Sequence, residues 1–283
     1  MNRKILFVLI LTITAFHSKA QERYDYVQQG EFGFTLGAAH YFGDLNTRAG
    51  LNRPKPAVGA FFRKQFGNYV GLRVSAHYAQ VGYSDTYSKN EYQKTRNLSF
   101  NSSIFELALQ GNFNFFKYIP GDPTHNFTPY VTLGVGVFTY DPYTYLDGNK
   151  VFLRPLGTEG QTAGIGKEYS TMAVCIPFGV GIKYSLSEKV NLSVEIANRF
   201  TTTDYLDDVS GTYAPRSAFP NGPNGELSVA YRLQDRSNET RPDDMLSAHP
   251  GAQRGWSKQK DQYVIAEIGI SINIGTYRCP TSF

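Results

Sequence analysis

About eight stretches of this chain alternate, residue by residue, between apolar side chains and small or polar ones. In the run from Val70, the residues Val70, Leu72, Val74, Ala76 and Tyr78 interleave with Gly71, Arg73, Ser75, His77 and Ala79. Period 2 alone says only that a strand has two unlike faces. Length adds the constraint. Several runs hold the alternation for about ten residues, which is what a tilted strand needs to cross a bilayer's hydrocarbon. The pattern predicts an all-β, antiparallel, up-and-down transmembrane barrel.

The chain opens as an exported protein would. Arg3 and Lys4 precede an apolar stretch over residues 5–16, and Ser18-Lys19-Ala20 resembles a small-x-small cleavage site. Residues 1–20 therefore read as a signal peptide with Gln21 as the mature N-terminus, and residues 21–283 as one barrel domain. No later segment approaches the ~18 apolar residues of a helical span. The formal charge of +4 falls to +1 once Arg3, Lys4 and Lys19 are removed with the leader. Basicity thus gives no argument for nucleic acid, and no basic helix supports one. Twenty Tyr and twenty Phe beside the single Trp256 suit the aromatic girdles of a barrel.

The expected strands cover about 31–42, 57–66, a run beginning at 70, 103–116, 130–140, 172–186, 190–202 and 263–275. Connections alternate in length. Long segments follow the first, third, fifth and seventh strands, whereas a Gly67-Asn68 turn, the link 117–127 and Ser187-Glu188-Lys189 join the others. Short periplasmic turns and long external loops are the habit of outer-membrane barrels, so both termini are expected in the periplasm. The long segments 141–170 and 203–261 are read as loops, including the short alternating piece 227–233. Cys175 and Cys279 fall near opposite ends of the wall, beyond the ~7 Å limit between bridged Cα atoms; free thiols follow, and their spacing suggests no metal site.

An eight-stranded barrel is just wide enough for side chains to fill it. The inward set contains Arg63, Arg73, Lys183 and Arg199 with Glu106, Glu195 and Glu267. Buried charges need partners, so this nearly balanced set is expected to form a structural polar network rather than an acid–base site. Ser75 and His77 share that face, while His40 lies on the lipid-facing parity near the end of its strand. A nucleophile needs a base held by a third group, and no acid is evidently placed to orient His77. No catalytic residue, cofactor or metal is therefore assigned. Asp204, Asp207 and Asp208 invite a calcium reading but lack the spacing and glycine of a calcium loop; they read as a structured turn. The Asn-x-Ser/Thr triplets at Asn97, Asn101 and Asn238 are chance matches if the cell is bacterial, as a barrel of this kind implies.

Several strings are more specific than periodicity. They are Tyr41-Phe42-Gly43-Asp44-Leu45, the stretch 56–62, Pro129-Tyr130-Val131 with Gly134-Val135-Gly136, Thr203-Asp204-Tyr205-Leu206-Asp207-Asp208-Val209-Ser210, Arg254-Gly255 with Ser257-Lys258, Asp261-Gln262-Tyr263 and Cys279-Pro280. Together they resemble the PorG family of Bacteroidetes outer-membrane proteins, associated with the type IX secretion system, over essentially the whole mature chain. Trp256 departs from that pattern, where a small polar residue is expected. The resemblance implies a non-catalytic barrel that anchors or positions a periplasmic ring of PorK and PorN. A general structural or surface-binding barrel acting through its external loops is the alternative, and a rim enzyme acting on lipid or peptide a more distant one. Candidate docking surfaces are the lead 21–30, the tail 276–283 and the link 117–127. The link's Lys117, Tyr118, Ile119, Pro120, Gly121, Asp122 and Pro123 exceed what a hairpin needs and are stiffened by two prolines.

Overall fold

A computed structural model describes residues 26–222, 224–240 and 251–277. The leader 1–20, Gln21 and Cys279 lie outside the described residues, as do the rest of 22–25 and of 278–283. The wall is built from β1 (Tyr26–Phe42), β2 (Lys55–Phe66), β3 (Val70–Ser84), β4 (Ser99–Asn114), β5 (Phe127–Thr139), β8 (Met172–Ser185), β9 (Val190–Thr201) and β10 (Gln262–Tyr277). Two short strands, β6 (Tyr143–Leu146) and β7 (Asn149–Phe152), stand apart. Each wall strand pairs antiparallel with its neighbour, β3 pairs with β4, and β1 pairs with β10, so the sheet closes on itself. Eight strands cross, at 12–17 residues each. All exceed the ~9–11 residues that a tilted crossing requires.

Alternation fixes which side chains meet lipid. Phe34, Leu36 and Ile268 are 58%, 68% and 64% exposed, and Leu107, Leu133, Val180 and Ile196 share the outer surface. Their neighbours along the chain, Thr35, Glu106, Thr132 and Glu195, are buried inside. A continuous apolar exterior around a polar interior is the surface of a barrel built to sit in hydrocarbon. His40 keeps the outward parity of β1 yet is buried. The loop after β1 covers it, with the Arg53 amide donating to Nε2 at 3.3 Å.

The β2–β3 turn places Gly67 at φ 71°, where a side chain would be strained. Loops 43–54, 85–98, 140–171 and 202–261 crowd the opposite end. There a core of Tyr41, Leu45, Phe100, Phe138, Tyr140, Leu206, Val209 and Tyr263 fills the mouth. Segment 141–170 contains the β6–β7 hairpin, turned through Asp147 and Gly148 at φ 52° and 80°. It touches the wall at Asn101↔Tyr143, and four-residue strands are too short to cross. Two short helices also sit in these loops, α1 (Glu91–Arg96) and α2 (Val229–Gln234). The piece 227–233, alternating in sequence, is thus helical from Val229. Ser228 accepts from the Tyr231 amide as its cap, a local bond that a seven-residue pattern does not reveal.

Candidate functional site

The lumen is layered, because each wall strand sends every second side chain inward. Nearest the short-turn end, Glu31 pairs with Arg63, accepts from Asn191 at 2.8 Å and Ser271 at 3.0 Å, and lies 3.8 Å from Lys183 Nζ. Above it, Arg73 grips both oxygens of Glu195 at 2.7 and 2.6 Å and donates to Gln110 Oε1 at 3.1 and 2.9 Å; the Tyr130 hydroxyl donates to Glu195 at 2.7 Å. In the third layer, Arg199 donates to Glu106 at 3.2 Å and Tyr263 donates to it at 2.6 Å. His77 lies between two acids, with Nδ1 3.4 Å from Glu106 and Nε2 3.3 Å from Glu267.

All seven inward charges named from sequence are buried here. Glu31 was missed, although it shares parity with Gly33 and Thr35; with it the set is four acids and four bases. The reading that no acid orients His77 is corrected. Glu106 sits directly across the β3–β4 ladder from it, and Glu267 reaches it from β10. Ser75 does not join this group, since its hydroxyl donates to Gln110 at 3.1 Å. An imidazole held by two carboxylates, with the nearby hydroxyl engaged elsewhere, is a structural tie and not a nucleophile–base pair. Cys175 is buried and free, with Sγ 4.0 Å from Glu106 and from the Tyr263 hydroxyl.

The long-loop end is fastened by a second polar network. Arg254 reaches Glu159 at 2.9 Å and the Asp208 and Gln234 carbonyls at 2.6 and 3.0 Å. Glu159 in turn accepts from the Ser210 and Gly211 amides. Arg96 holds both oxygens of Asp85 at 2.8 Å and donates to the Arg254 and Asp44 carbonyls. The Tyr41 hydroxyl contacts Asp207 at 2.5 Å and Asp261 at 3.0 Å. The three acids of the Asp204–Asp208 string point to different partners: Asp204 to Ser210, Asp207 to Tyr41 and the Val209 amide, Asp208 to Thr158 and Tyr169. They form a turn rather than converging on an ion.

Burial dominates the electrostatics of this cap. It pushes Asp204 up to about 7 against the opposing Ser210 bond, and Asp208 up to about 6 against Arg254. Asp207 and Asp261 rise well above the usual carboxylate range, first through burial and then through repulsion from neighbouring acids.

At the short-turn end, the link named as a docking candidate divides in two. Tyr118 and Pro120 are buried. The Tyr118 hydroxyl donates to Asn191 at 2.7 Å, and Lys183 Nζ lies 4.7 Å from its ring centre. That half stoppers the barrel. The outward half, Gly121 to Thr124, is knotted by Asp122, which accepts from the Thr124 amide and hydroxyl at 2.8 and 2.7 Å and lies 2.8 Å from His125. These bonds, those of Thr124 first, hold Asp122 down at about 2.

No curated protein sequence matches this chain. Among solved structures, Neisserial surface protein A is similar with 8% identity and a TM-score of 0.42 over 89% of this chain and 100% of that one. The N-terminal barrel domain of Pseudomonas aeruginosa OprF matches with 10% identity and a TM-score of 0.37 over 87% and 98%. OprG from the same organism gives 13%, 0.35, 90% and 100%. These are outer-membrane barrels, and the likeness is one of fold at coarse level. A family match spans most of the sequence, residues 3–219, and the chain belongs to that family, described as a domain of unknown function, DUF6089.

Proposed function

We propose that this protein is a non-catalytic outer-membrane scaffold, a PorG-like component of the type IX secretion apparatus that anchors or positions a periplasmic ring of PorK and PorN. The observation that carries the scaffold reading is the filled lumen. Three layers of paired charges span it, the mouth is packed with aromatics, and Tyr118 stops the other end. A barrel occupied in this way works through its end surfaces. In this reading the short-turn end faces the periplasm with both termini, and the stiff tip around Asp122 and Pro123 is the contact for the ring. The specific step to secretion rests on the sequence strings quoted above.

The test is affinity purification of the full-length protein from outer membranes. PorK and PorN should co-purify and should be lost when Asp122→Lys and Pro123→Ala are combined, with Tyr118 left in place. Deletion of the gene should impair release of secreted cargo. If the ring proteins never co-purify and secretion is intact in the deletion strain, the anchor reading is wrong. The second reading, a barrel that binds at its surface through the long loops, is favoured by a cavity at the long-loop end.

A further inference from the structure

That cavity, of about 620 Å³, opens among loops 43–54, 85–98 and 202–261. Its size lies within the range of small-ligand sites. Two aromatic rings line it, Trp256 at 53% exposed and Tyr92 at 42%. Neither is loose. Both oxygens of Asp44 accept the Trp256 amide at 3.0 Å, and the Tyr92 hydroxyl donates to the Gln253 carbonyl. Gly255 lets the Trp256 loop lie this deep, because a Cβ there would meet Asp44 Oδ2 at 2.5 Å and the Ser210 amide at 2.8 Å.

The polar lining is of one kind. Thr47, Thr212, Gln253 and Ser257 present neutral hydroxyl and amide groups, and none of these side chains has a hydrogen-bond partner among the described residues. Hydroxyls and amides both donate and accept. The charged residues at the cavity are already engaged: Arg96 with Asp85, Arg254 with Glu159, and Asp44 with the Trp256 amide. A phosphate or sulfate would find no uncommitted guanidinium, whereas the Asp44 carboxyl, whose two oxygens share one amide hydrogen, keeps acceptor capacity for a hydroxyl.

We infer that this cavity binds a neutral oligosaccharide, with one pyranose ring laid on Trp256 and its hydroxyls read by Thr47, Thr212, Gln253 and Ser257. A pyranose has an apolar C–H face and a rim of hydroxyls. It therefore suits a flat aromatic surface bordered by uncharged groups that donate and accept. The inference is independent of the anchor reading, which concerns the other end of the barrel.

Trp256 is the chain's only tryptophan, so its emission reports this site alone. The full-length protein in a zwitterionic detergent, which has no sugar headgroup to compete, is titrated with the neutral trisaccharides maltotriose, tri-N-acetylchitotriose and mannotriose. At least one should give a saturable change in emission that added salt leaves unaltered. Combining Thr212→Ala with Gln253→Ala keeps the fluorophore and should weaken binding by about tenfold, the loss of two ordinary hydrogen bonds. By calorimetry, Trp256→Ala should lose binding at least about tenfold, with Trp256→Phe intermediate. Heat-modifiable gel mobility verifies that each variant is a folded barrel. No saturable response to any of the three sugars, binding indifferent to both sets of variants, or binding abolished by salt would each overturn the inference.

Discussion

Arg73 shows what a buried charge does in this wall. Its guanidinium is bidentate to Glu195 and shares Gln110, so Arg73→Met leaves an uncompensated carboxylate inside the lumen. The expected cost is about 3–5 kcal/mol, whereas adding Glu195→Met should recover most of it, because the pair is removed whole. Urea unfolding in lipid vesicles, run as a double-mutant cycle, measures both. Tyr41 makes a different case. Its single hydroxyl proton faces Asp207 and Asp261, so the pair holds a shared proton more readily than two charges. Tyr41→Phe should cost about 1–3 kcal/mol by the same measurement. Gly43→Ala should cost more, since the added methyl collides with both Tyr41 Oη and Asp261 Oδ1. The inward residues were legible from parity. Their pairing was not: His77 meets Glu106 through a register set across loop 85–98, and Glu267 from the last strand.

Among elements, the cap and the link respond to their surroundings in opposite ways. Asp204 and Asp208 titrate in the folded cap at about 7 and 6, against the unfolded value near 4. A raised folded value means that their contribution to stability is full below the unfolded value and is lost as pH rises through the folded one. Amide protection across 203–211, measured relative to the intrinsic exchange rate, should therefore fall between pH ~5 and ~8, and Asp204→Asn should flatten the change. The link 117–127 carries the Tyr118 stopper over Lys183 and Asn191. Replacing it by a two-residue Asn-Gly turn removes that stopper, so the expected outcome is a barrel that still closes but unfolds at lower urea, which is why the anchor test alters only the tip. Wall strands are readable because lipid and lumen impose opposite demands on successive residues over a dozen positions. The two strands of the β6–β7 hairpin and helix α2 are each four to six residues long, too short for any period to declare itself. Arg254 and Glu159 lie 95 residues apart, and only the closed barrel brings their loops together.

As a whole the molecule is a stoppered cylinder, and its conductance follows from that. Ions crossing it would have to part Arg73 from Glu195 and Arg199 from Glu106, so planar-bilayer recordings should show no large, stable openings. Removing one of the third layer's two acids by Glu106→Ala takes a partner from Arg199, His77 and Tyr263 together, leaving His77 with Glu267 alone. Any leak should first be visible in that variant. The eight-strand count and the placement of long and short connections followed from the sequence at this scale. The fastening of the loops into one cap did not, because its ion pairs depend on which loops the closed wall makes neighbours.

The seam of the cylinder has a consequence for how the chain is made. β1 finds its second partner only in β10, with Phe42 opposite Gln262 and Tyr26 opposite Tyr277. A nascent chain stopped between β9 and Gln262 is an open sheet whose outermost strands, β1 and β9, each lack a second neighbour, and such edges have no place in hydrocarbon. Entry into the bilayer thus waits for the last sixteen-residue strand. Until it arrives, seven finished strands with greasy faces must be kept apart in water, where sticking to one another is the competing fate.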